Sequence, residues 1–181
     1  MSDLGDLLAR SLGSADPAAE IALAAALARA AHPLSIGALR ALAGDPQVEV
    51  RLLVQVGLAR LDDDDGAMVA SRLCRESDLG VLAVLAARAG RLPIDARGLA
   101  NLIALAAYPG TPAELRAGCT WAIGERDRAR GAEVLGSLLD DDEATFWLAS
   151  VVGRRGGALV PLVAGLHGDP ALDRVAALLD L

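Results

Sequence analysis

The stretch Asp45-Pro-Gln-Val-Glu-Val-Arg-Leu-Leu-Val-Gln-Val-Gly-Leu-Ala-Arg-Leu61 decides the fold. It opens on an aspartate and a proline, a capping side chain followed by a residue whose fixed φ suits a first helical turn. From Val50 onward only Arg51, Gln55 and Arg60 are polar, so the predicted helix over 46–61 is apolar nearly all round and needs neighbours on most sides. The same opening recurs at Asp16-Pro17, Thr111-Pro112 and Asp169-Pro170, while Ser77-Asp78 and Asp141-Asp142 hold intermediate places without the proline. The six starts near 16, 45, 78, 111, 142 and 169 are spaced by 29, 33, 33, 31 and 27 residues. A period of about 30 residues reads as a helical-hairpin repeat.

Each start is preceded by a shorter apolar run, predicting first helices over 4–12, 34–43, 67–75, 96–107, 132–139 and 159–166. The second helices are predicted over 17–30, 46–61, 79–89, 112–125, 143–154 and 170–179. No alternation of polar and β-branched residues is long enough to read as a strand. The expectation is an all-α chain, one repeat domain over 1–181 built from about six antiparallel helix pairs.

The segments Asp45-Pro-Gln-Val-Glu-Val-Arg51, Thr111-Pro-Ala-Glu-Leu-Arg116 and Asp169-Pro-Ala-Leu-Asp-Arg174 resemble the turn and second-helix start of HEAT repeats. Their length is most similar to the short, phycobilisome-lyase-like subclass. The resemblance implies a right-handed α-solenoid whose second helices line a concave face, and it identifies a scaffold rather than an activity. Repeats 3 and 5 lack the Asp-Pro and the Arg. Registration across repeats then places Arg51, Ala83, Arg116, Trp147 and Arg174 in equivalent positions, with Gln55, Ala87, Thr120, Val151 and Leu178 one turn further on.

Composition narrows the function classes. The 181 residues carry 17 basic groups, all Arg, against 24 acidic ones, giving a net charge of -7 with 54% hydrophobic and 2% aromatic residues. Both halves are acidic, with 8 Arg against 12 acids up to residue 90 and 9 against 12 after it. Phosphate-backbone binding needs a basic surface, so a nucleic-acid binder such as a HEAT-like DNA glycosylase is disfavoured, as is an anionic membrane surface. The longest uncharged stretch, 98–113, contains Asn101, Pro109, Gly110 and Pro112 and is too short and broken to cross a bilayer. The opening Met-Ser-Asp-Leu-Gly-Asp is acidic where a signal peptide needs a basic region, and the expected location is the cytoplasm.

Catalytic and metal constellations are not evident. Cys74 and Cys119 are far apart and lie in apolar helical runs, where a thiol acts as a small hydrophobe. His32 and His167 fall in loops without a nucleophile and an orienting acid nearby. The acidic runs at 62–65 and 140–143 fit no calcium-loop spacing and read as solvated loops, the second also favoured by a helix dipole. Arg126, Arg128 and Arg130 read as a solvated loop between repeats 4 and 5. The chain is expected to need no cofactor or metal and not to be an enzyme.

The expected function is a non-catalytic interaction module that holds a protein or peptide on its concave face or C-terminal cap. The candidate surface is Trp147, Val151, Arg116, Thr120, Arg174, Leu178, Arg51 and Gln55. Trp147 reads either as a partner anchor or, with Phe146, as core of repeat 5; Trp121 reads as core. The arginines read as a ladder for acidic or phosphorylated partners, or as pairing with turn aspartates such as Asp45 and Asp169. Leucines of the last helix, Leu178 and Leu181, suggest a homo-oligomer contact. By the resemblance, a chromophore lyase or lyase-like chaperone binding a tetrapyrrole is the alternative.

Overall fold

The computed structural model describes residues 17–160. The predicted helices over 4–12 and 170–179, most of that over 159–166, and Arg174, Leu178, Leu181, His167 and Asp169 lie outside the described residues. Among those described, the chain is all helix and turn, with nine α-helices and no strand.

The chain divides into two compact units at Asp64 and Asp65. The first holds α1 (Pro17–Ala30), a 3-10 turn (Pro33–Ser35), α2 (Ile36–Leu42) and α3 (Val48–Arg60). Helix α3 packs on both α1 and α2, and Ala24, Leu27, Leu39, Val50, Val54 and Leu58 make the core between them. Glycine at position 57 lets α3 approach α1, because a Cβ there would press on the Ala28 backbone.

The second unit holds α4 (Gly66–Leu73), α5 (Leu79–Ala89), α6 (Ala96–Ala107), α7 (Ala113–Arg126), α8 (Arg128–Leu138) and α9 (Asp142–Arg155). First helices pack on first helices, α4 on α6 and α6 on α8; second helices pack on second helices, α5 on α7 and α7 on α9. Like packing on like is the arrangement expected of a helical-hairpin repeat. Five of these six helices begin on an aspartate whose carboxylate accepts an amide of the first turn: Asp65 from Met68, Asp78 from Val81, Asp95 from Gly98, Asp127 from Arg130 and Asp141 from Ala144.

Three local expectations are corrected. The Asp45-Pro46 pair does not cap as read: α3 begins at Val48, and Asp45 accepts instead from the Gln47 amide at 2.8 Å in a side-chain turn. Helix α7 likewise begins just after Pro112. Secondly, Arg126 and Arg128 are separated by Asp127 alone, so they end one helix and begin the next. This sharp corner depends on two facing glycines, since a Cβ on Gly131 would collide with the Gly124 backbone. Thirdly, the acidic run at 62–65 is not uniformly solvated. Asp63 is 5% exposed and forms an ion pair with Arg40, Asp62 turns the chain at φ 49°, and Asp65 caps α4.

Candidate interaction face

Helix α7 is the centre of the second unit, in contact with α5, α6, α8 and α9. Between Leu115 and Gly124 every residue is buried except Gly118, around which a side chain would meet open space. The side of α7 left uncovered by its neighbours therefore carries Glu114 and Gly118, one turn apart. On α5 the exposed positions are Leu79, Gly80 and Ala83; on α9 they are Asp142, Glu143, Phe146 and the Gly153 to Arg155 end.

Phe146 is 54% exposed and meets half-buried Trp147 edge to face, with ring centroids 5.7 Å apart. The core reading is corrected for Phe146, while Trp147 is partly covered beside the buried positions of α9, Ala144, Thr145, Leu148, Ala149, Val151 and Val152. The chain has four aromatic residues. Only Trp121 is buried, at 3% exposed, while Tyr108 stands in a turn at 65%. Leu, Val and Ala fill most of the interior, with Trp121 as its one fully covered aromatic.

Several residues assigned to the face from registration point inward. Gln55 and Thr120 are fully buried, and the Thr120 hydroxyl donates to the Arg116 carbonyl at 2.9 Å. Val151 is buried as well. Arg116 is 9% exposed; its Nε donates to the Ala106 carbonyl at 3.1 Å and its Nη1 to Asp141 Oδ2 at 2.6 Å. It joins the exit of α6 to the start of α9, so the pairing with a turn aspartate holds here, through the aspartate of the next repeat. Arg51 donates to the carbonyls of Asp45 and Pro46, both at 2.9 Å, closing its own turn. Registration placed Ala83 on the face, where it is exposed, but missed Gly118, a residue without a polar signal.

The remaining reactive groups are accounted for locally. Burial pushes the Cys119 thiol up to about 12, which makes it inert near neutral pH. His32 Nδ1 accepts from the Leu34 amide at 3.2 Å and caps the 3-10 turn. Thr145 Oγ1 is buried and has no hydrogen-bond partner among the described residues. No group of three or more His, Cys, Asp or Glu among the described residues is arranged to hold a metal ion. No described helix is long and apolar enough to cross a membrane.

No family model, curated protein or solved structure matches this chain.

Proposed function

We propose that the chain is a HEAT-like α-solenoid acting as a non-catalytic interaction module, which binds a protein or peptide partner through the open side of α5, α7 and α9. The observation that carries this reading is exposed Phe146, set edge to face against half-buried Trp147, in a chain that has only four aromatics. Large aromatic surface left in water is unfavourable for a monomer and favourable for a complex, where such rings dominate the binding energy. Gly118, which has no side chain, and Ala83, which has only a methyl, leave room on the neighbouring helices for an apolar partner residue to seat.

Asp142 and Glu143 lie one turn before Phe146 and Trp147, and Glu114 is exposed on α7. The surround is acidic, so the reading favours a partner segment with an apolar anchor and basic flanks over an acidic one. Two free thiols suit a reducing compartment, in keeping with a cytoplasmic place of work.

Capture of partners from a lysate by the tagged protein, compared with Phe146→Ala, tests the reading. This side chain is exposed, so the variant keeps its melting temperature while its specific partners fall by about tenfold or more. Partners retained equally by both proteins would overturn it.

A further inference from the structure

A different edge of the second unit, where α5, α7 and α9 end, brings arginines together on a prepared platform. The Trp121 indole lies against Gly90, the residue after α5, where any Cβ would overlap the ring. Its Nε1 donates to the Gly156 carbonyl at 3.0 Å, just past α9. The Arg155 guanidinium sits over the same ring, 5.0 Å from the centroid. Arg126, at the end of α7, donates to the carbonyls of Gly90 and Leu92 at 2.8 and 3.2 Å and so fixes the turn that carries Arg91. One indole thus ties the exit of α5 to the exit of α9.

The charges brought together are alike. Arg155 is held below the ordinary arginine value, first by burial and then by the positive charges of Arg91 and Arg154. A single arginine at a helix C-terminus complements the dipole, but that effect does not require a second and a third cation beside Arg155, on the turn after Gly90 and at the preceding residue of α9. Among the described residues no carboxylate pairs with Arg91, Arg154 or Arg155. The nearby Glu125 is engaged elsewhere, accepting the Ala158 amide at 2.5 Å.

We propose that Arg155, seated on the Trp121 indole, and its neighbours Arg91 and Arg154 form a binding site for a dianionic phosphoryl group. The guanidinium fork matches its oxygens, and stacking on the indole leaves the edge of Arg155 free to donate. Three cations favour a dianion over a single carboxylate, because two negative charges offset more of their mutual repulsion. The chain's net charge of -7 opposes long-range attraction, so binding is short-ranged, with a Kd of the order of a millimolar for inorganic phosphate.

Trp121 is a built-in reporter. Inorganic phosphate is titrated into the full chain carrying Trp147→Phe, so that Trp121 is the sole tryptophan, with chloride holding the ionic strength constant. A saturable change in emission is expected, with acetate about tenfold weaker and Arg91→Gln/Arg154→Gln, which leaves the Arg155 stack in place, also about tenfold weaker. Phosphate should raise the melting temperature of the parent and leave that of the double variant unmoved. A response that is linear, equal for acetate, or unchanged in the double variant overturns the proposal. Glycerol phosphate and a phosphoserine peptide, titrated alongside, identify the carrier: tighter binding of the peptide places the group on a protein, and equal binding places it on a small molecule.

Discussion

At the edge of the second unit where α7 and α9 begin, Arg116 is buried and divides its donors between the Ala106 carbonyl and the Asp141 carboxylate. At the opposite edge, where α5 and α9 end, Arg91, Arg154 and Arg155 gather with only an aromatic face and one helix carbonyl, that of Ser150, to receive them. The residue type is the same, and its surroundings make it a structural tie in one place and a free donor in the other. The difference follows from what lies within reach. Arg116 is in the first turn of α7, beside the Asp141 cap of the next second helix. Arg91, Arg154 and Arg155 lie at or just past the last turns of α5 and α9, where no carboxylate among the described residues pairs with them.

The largest effect expected from breaking this contrast is at Arg116. Arg116→Ala leaves the Ala106 carbonyl without its donor and removes the cation beside Asp141, a loss of about 3 kcal/mol in urea unfolding. Arg154→Gln, at the other edge, should change stability by no more than about 0.5 kcal/mol. Equal losses from the two substitutions would erase the distinction between a tie and a free donor.

Next in size is Gly90→Ala. The added methyl overlaps the Trp121 ring, which is buried and anchored at Gly156, so the indole must tilt or the end of α5 must move. The cost is about 2 kcal/mol, read from the same unfolding curves. The emission of Trp121 should shift with it, because the Arg155 stack depends on where the ring lies. Gly118→Ala, on the open side of α7, is the control that adds a methyl where nothing is met. A Gly90→Ala protein as stable as that control would show that the platform yields easily.

Helix positions were legible to very different degrees. The spans of α1, α5 and α6 follow from periodicity at both ends, because each is amphipathic or bounded by clear turn residues. The corner at Asp127 was not legible, since three arginines and an aspartate read as loop when Gly124 and Gly131 actually let two helices meet across one residue. The candidate site was least legible at α7. A helix covered on most sides hides Arg116 and Thr120 and leaves a glycine at the surface, reversing the rule that polar positions mark the exposed face. Registration found the position of Trp147 but not the exposure of Phe146, which depends on how α9 is rotated against α7.

The smallest effect concerns the acid that completes the structural tie. The Asp141 carboxyl is held below its ordinary 3.8, chiefly by the Ala144 amide, against the upward push of partial burial and with further help from Arg116. A carboxyl whose folded pKa is depressed contributes stability that is full above the unfolded value and is lost as pH falls through the folded one. Asp141→Asn keeps an oxygen for the cap and removes only the charge. Its melting temperature should lie below that of the parent by a constant margin between about pH 7 and pH 5, and the margin should close as pH drops below 3.8. A margin that persists in acid would assign the contribution to the shape of the cap alone. Arg116 would then be held mainly by the Ala106 carbonyl, and the contrast between the two edges would rest on hydrogen bonding rather than on charge.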